Sequence, residues 1–115
     1  MAITLSVAKD FSETPGPRSR EEGEFSGDEF RDNFLKPAFV QARDSRQRLV
    51  VDLDGVVGYA TSFLEAAFGG LAREFGPCAV LETVELVCSD EPSLVEEVKR
   101  YIEDAKKEEA GEWVR

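Results

Sequence analysis

Two adjacent hydroxyls, Thr61 and Ser62, stand where a short loop hands an apolar strand over to an apolar helix. The run is Val50-Val51-Asp52-Leu53-Asp54-Gly55-Val56-Val57-Gly58-Tyr59-Ala60-Thr61-Ser62-Phe63-Leu64-Glu65. A helix start favours an anion, because its first N–H groups and its dipole both point outward. A phosphate on Ser62 or Thr61 could sit there and change the surface by about two charges. The simpler role is structural. Ser62 and Glu65 have the spacing of a capping box, in which the serine satisfies free N–H groups at a gain of ~1 kcal/mol. Spacing alone supports either role.

Other nucleophilic chemistry is poorly supplied. The chain has no histidine, which removes the commonest general base and metal ligand and any Ser-His or Cys-His pair. Cys78 and Cys88 have neither CxxC nor metal spacing and read as buried free thiols of a reducing compartment. No metal site and no cofactor are expected, and no Gly-rich loop ends in Gly-Lys-Ser/Thr. Arg18 and Arg20 form a basic island in a Pro/Gly/Ser-rich segment. They could bind an anion or an acidic partner segment, although solvated loop charges are the plainer reading.

The elements around these residues follow from hydrophobic periodicity. Ile3, Leu5 and Val7 alternate as in a strand. A connection over 9–25 is long for a compact domain, so Arg18–Glu22 is expected to form a short edge strand. Ser26-Gly27-Asp28-Glu29 reads as a capping box opening a helix with Phe30, Phe34, Leu35 and Ala38 on one stripe. Pro37 predicts a kink or break within it. A buried strand follows at Arg48–Leu53, then a helix from Ser62 to Phe75 stopped by Pro77. Thr83–Cys88 is the next strand. The last helix begins after Pro92, with Leu94, Val98, Tyr101, Ile102 and Ala105 inward. Its tail, Glu112–Arg115, is expected to fray unless Trp113 docks back. Within the second helix, Ala66, Gly69, Gly70 and Arg73 lie opposite the apolar stripe. Paired glycines in a helix interior cost about 1 kcal/mol each. Close packing on the chain itself would offset this, as would a flat face for a partner. Strands alternating with helices imply an α/β sheet covered by helices.

The 115 residues suffice for a single domain over 1–115, and the net charge of −10 bounds its partners. Acidity disfavours nucleic acid and anionic membrane surfaces. No apolar run approaches the ~18 residues of a membrane span, and Met1–Asp10 reads as a strand rather than a leader. A cytoplasmic location is therefore expected.

The residues also resemble a known family. Asp52-Leu53-Asp54-Gly55-Val56 and Ala60-Thr61-Ser62-Phe63 stand where STAS domains, typified by bacterial anti-sigma-factor antagonists, carry Asp-Leu-Ser-Gly-Val and Asp-Ser-Ser-Gly. Gly23-Glu24-Phe25-Ser26 is similar to the family's Gly-Glu-Leu-Asp. The closer likeness is to the bacterial STAS-like domain of unknown function, through Ser26–Phe30, Pro37 and Ser62–Leu71. The resemblance implies a mixed sheet of about four strands packed by about three helices. It implies a non-enzymatic regulatory module that binds another protein through the loop and the start of the second helix. In antagonists a kinase-like ATP-binding regulator phosphorylates that site. The expected partner-binding residues are Gly58, Tyr59, Thr61, Ser62, Phe63, Glu65, Ala66, Gly69, Gly70 and Arg73, and a homo-oligomer is left open.

An enzymatic alternative rests on a second resemblance. Val50–Val57 is similar to the first motif of haloacid-dehalogenase-type phosphatases, which implies Asp52 as nucleophile and Asp54 as acid. Ser89 and Lys99 would imitate the later motifs. That chemistry needs Mg²⁺ held by a further acidic pair, and Asp90 and Glu91 follow the second motif too closely to supply it well. A response-regulator receiver fits less well, since Lys9-Asp10 provides one carboxylate where two are needed.

Overall fold

Alternation places one face of each strand inward. The structure, a computed structural model, describes the backbone of residues 2–114 and the side chains of residues 2–105. Strands β1 (Ala2–Ser6), β2 (Arg48–Asp52) and β3 (Val84–Val87) form one sheet in the order β1-β2-β3. Both pairings are parallel, with Leu5 opposite Val51 and Val51 opposite Leu86. Leu5, Leu49, Val51 and Val84 are buried on one face, while Thr4 and Glu85 are exposed on the other. Parallel sheets commonly have both faces covered; here the second face is partly open, with Val50 and Val87 half-buried.

The sheet corrects two expectations. It has three strands among the described residues, not about four, and it is parallel rather than mixed. The expected edge strand at Arg18–Glu22 is a turn instead. Glu22 N–H donates to the Ser19 carbonyl at 3.1 Å, and the Ser19 N–H and hydroxyl both donate to Glu22 Oε1 at 3.1 Å. The segment lacks alternating apolar residues that would anchor a strand on a core.

Five helical segments, rather than about three, accompany the sheet among the described residues. Val7–Phe11 is a single π turn after β1, capped by Ser6, whose hydroxyl accepts from Lys9 N–H at 3.1 Å. Helix α1 spans 27–44, α2 spans 61–75, α3 is Pro77–Thr83 and α4 is Ser93–Val114. The helix α3 was not expected. Pro77 does end α2, through Gly76 at φ 95°, but it then opens α3 at a position where its missing N–H costs nothing. Helix α4 buries Leu94, Val98, Ile102 and Ala105 and half-buries Tyr101, as its pattern implies. The described backbone stays helical to Val114, and Trp113 lies outside the residues whose side chains are described.

Pro37 neither breaks nor ends α1. The helix widens into a π turn over Arg31–Leu35 immediately before it, with Lys36 N–H reaching the Arg31 carbonyl. Such widening is a common way to absorb an irregularity without losing the helix. The start of α1 is a capping box, as read. Ser26 is fully buried, and its hydroxyl accepts from Glu29 N–H at 3.1 Å. Glu29 reaches back one residue further than expected, to Phe25 N–H at 3.2 Å. Pro17 and Arg18 carbonyls accept from the next two N–H groups, Gly27 at 2.8 Å and Asp28 at 3.0 Å. The long 9–25 connection is thus tied to α1.

Helix α2 is the hub. Phe63, Leu64, Ala66, Ala67, Phe68, Leu71 and Ala72 are all buried, because α1 packs on one side of it and α4 on another. Phe11, Phe30, Phe34 and Phe63 form an aromatic cluster between the π turn, α1 and α2. No helix among the described residues is long and apolar enough to cross a membrane.

Candidate interaction site

The loop between β2 and α2 is fixed at several points. Asp54 N–H donates to Asp52 Oδ1 at 2.9 Å, and Gly55 takes φ 87°, a backbone that favours glycine. Asp54 then clasps the loop after β3. Its carboxylate accepts from Asp90 N–H at 2.8 Å and Ser89 N–H at 3.0 Å, and Asp90 returns a carboxylate oxygen to Gly55 N–H at 3.2 Å. The Asp90 and Ser89 amides hold the Asp54 carboxyl below its ordinary range. Further along, Val57 N–H donates to the Glu13 carbonyl at 2.9 Å, and the Tyr59 hydroxyl donates to the Leu53 carbonyl at 2.9 Å. Burial, then the nearby Cys88, Asp52 and Asp54, raise the Tyr59 phenol strongly. Between these ties Gly55, Val57, Gly58, Ala60 and Thr61 are exposed, and Val57 is 84% exposed.

The first turn of α2 differs from the sequence reading. The cap is Ala60, whose carbonyl accepts from Phe63 N–H at 3.1 Å and Leu64 N–H at 3.3 Å, and no side chain caps the helix. Thr61 is the first helical residue and Ser62 the second. The Ser62–Glu65 capping box is therefore corrected: Ser62 is inside the helix and half-buried, and Thr61 is the more open hydroxyl. Glu65 is drawn elsewhere. It accepts from Arg18 at 2.6 Å and Arg73 at 2.7 Å. Burial pushes its carboxyl up, but the Arg73 and Arg18 guanidiniums outweigh that and lower it. Thr61 lies near α4, where its side chain bears on the Tyr101 hydroxyl. That hydroxyl donates to Glu97 at 3.0 Å.

The small-residue face of α2 is covered by the chain itself. A Cβ on Gly70 would overlap the Arg31 guanidinium, and one on Gly69 would stand 2.6 Å from Glu65 Oε2. Arg31 Nη1 donates to the Ala66 carbonyl at 2.8 Å, where α2 widens into a π turn over Glu65–Gly69. Ala66, Gly69 and Phe63 are buried. Ala66, Gly69 and Phe63 are therefore corrected from partner-facing to self-packing residues, while Gly70 is half-buried against Arg31. Gly58, Tyr59, Thr61, Ser62, Glu65 and Arg73 keep at least partial exposure.

Arg18 and Arg20 are also reassigned. Arg18 pairs with Glu65, and Arg20 with Asp32 at 3.0 Å, so both, while exposed, clamp the connection to helices. Cys78 is exposed, not buried; Cys88 is buried, and desolvation raises its thiol. The Asp52/Asp54 pair is brought together, but its oxygens staple backbone. Both Asp54 oxygens accept N–H groups, and no group of three or more Asp, Glu, Cys or His among the described residues is arranged to hold a metal. Ser89 joins that staple through its N–H, and Lys99 is exposed on α4. Arg31, and the clasp made by Asp90, escaped the sequence reading because these contacts lie 35 residues away, beyond any local periodicity.

A parallel three-strand sheet with five helical segments, its loop and helix start held at the strand ends, defines a STAS-like α/β fold. The chain belongs to the family of the STAS-like domain of unknown function (DUF4325), whose model matches residues 26–94. The match starts at the buried cap Ser26 and takes in the Asp54–Asp90 clasp and Thr61. No curated protein and no solved structure matches the chain significantly.

Proposed function

We propose that this domain is a non-enzymatic regulatory module that binds another protein through the 54–60 loop and the first turn of α2. The observation that carries the reading is the exposure of Gly58, Ala60 and Thr61 on a loop whose backbone is pinned at both ends. A rigid, accessible loop on a fixed scaffold loses little entropy on binding. Membership of a STAS-like family is consistent with a regulatory role.

The switch is phosphorylation of Thr61, with Ser62 as the less accessible alternative. A phosphate on Thr61 would meet the free end of the α2 dipole and also the Glu97 carboxylate that Tyr101 holds nearby. Attraction by the helix and repulsion by α4 would alter the same surface the partner reads. A kinase-like ATP-binding regulator fits this site, by the resemblance to anti-sigma-factor antagonists.

The test is co-purification from the native cell with Thr61→Glu, Thr61→Ala, Ser62→Glu and Ser62→Ala, each checked for folding by circular dichroism. The expected result is a partner retained by the alanine variants and lost with Thr61→Glu. A folded Thr61→Glu variant that keeps every partner would remove the switch from the account.

A further inference from the structure

Phe25 and Val57 are the large apolar side chains that stand exposed among the described residues, at 42% and 84%. Both are tied to the short segment 11–13. The Phe25 ring meets Phe11 edge-on with centroids 5.5 Å apart, and Val57 N–H bonds the Glu13 carbonyl. Half-buried Phe11, Phe34 and Tyr59 continue inward from them to Phe63. Phe25 also has φ 54°, a left-handed backbone that a bulky side chain seldom adopts. Two hydrogen bonds hold it there: Gly16 N–H donates to its carbonyl at 2.8 Å, and its own N–H donates to Glu29. The Phe25 ring is thus held, partly exposed, beside Phe11 by a backbone that costs energy to adopt.

The surroundings are acidic. Segment 9–25 carries Asp10, Glu13, Glu21, Glu22 and Glu24. Of its cations, Arg18 and Arg20 are already paired with Glu65 and Asp32, leaving Lys9. Glu13, Glu21 and Glu24 are exposed. A second copy of the chain would bring like charges together, on a protein of net charge −10.

We propose that Phe25 and Val57 form a docking surface for a basic segment of a partner protein that inserts an apolar side chain between flanking Lys or Arg residues. The proposal rests on the interaction-module reading and specifies the chemistry of its partner. The apolar anchor is buried against Phe25 and Val57, and the acidic connection attracts the flanking cations.

The probes are two fluorescent peptides, one alternating lysine with leucine and one alternating lysine with serine, titrated by anisotropy and mapped by amide chemical shifts. Wild-type protein is expected to prefer the leucine peptide by at least about tenfold, with shifts at residues 11–13, 25 and 57. Val57→Ser, at a side chain already in solvent, should cut that preference while leaving the unfolding midpoint unchanged. Phe25→Ser should cut it too, if folded. Equal affinity for the two peptides would overturn the proposal, as would a preference that survives Val57→Ser. Shifts confined to residues 58–62 would overturn it while leaving the module reading intact. Self-association that Val57→Asp abolishes would also overturn it, by making a second copy the occupant.

Discussion

Gly27 brings α1 close to the first turns of α2, and Gly27→Ala measures how tightly that contact is set. A Cβ there would lie 2.5 Å from the Phe63 carbonyl oxygen, 2.9 Å from Ala66 Cβ and 3.2 Å from the Phe63 carbonyl carbon. These obstacles are backbone and a methyl group, so none can rotate away. The shortest contact is about 1 Å inside a comfortable separation, and α1 must shift from α2 to relieve it. Overpacking of this kind costs roughly 1–3 kcal/mol. Alanine's better helix propensity returns at most about 1 kcal/mol. The expected net loss is about 1–2 kcal/mol, read as a lower urea midpoint with an unchanged slope. Each kcal/mol corresponds to roughly 4–8 °C in Tm for a domain near this size. Gly58→Ala is the control. Its Cβ would meet nothing within 4 Å, so stability should hold or rise by up to ~1 kcal/mol. A Gly27→Ala protein as stable as wild type would refute the close crossing that positions Thr61.

Ser26→Ala removes a fully buried helix cap and should cost about 1–2 kcal/mol in urea unfolding, with Ser26→Asp recovering part of it. Tyr59→Phe leaves the Leu53 carbonyl without its hydroxyl donor and should cost about 1 kcal/mol, measured the same way. Asp54→Asn weakens the clasp on the loop after β3 in a pH-dependent way. The folded-state carboxyl lies below the ordinary aspartate value of 3.8. The ionised group's contribution is thus full above that value and is lost as pH falls through the lower folded one. Wild type should therefore exceed Asp54→Asn in stability at neutral pH, with the gap closing in acid; a gap that is constant with pH would show that the clasp is not ionic.

The order of the main elements was legible because it rests on local periodicity. Leu49 to Val51 mark a strand, and Leu94, Val98, Ile102 and Ala105 a helix face, whatever surrounds them. The Ser26–Glu29 box was legible for the same reason. What failed depended on long-range competition. Ser62 and Glu65 have capping spacing, but two guanidiniums, one of them 47 residues away, take the glutamate. Gly69 and Gly70 signal close approach correctly, yet the sequence could not name Arg31 as the group that approaches. Pro77 signals a boundary, but a proline that stops one helix can equally open the next. At the site, the exposed loop could be placed from sequence, whereas the burial of Phe63 and Ala66 beneath α1 could not.

The partner-facing role of the 54–60 loop is tested most directly by a photo-crosslinking residue at Gly58, where the backbone leaves open space. Its counterpart replaces Thr4, exposed on the sheet face opposite Leu5 and Val51, and both proteins are irradiated in the native cell. A discrete adduct with another protein from Gly58, and none from Thr4, is the expected outcome. An adduct from Thr4 alone, or none from Gly58 in the folded protein, would contradict the assignment of that loop as the binding surface.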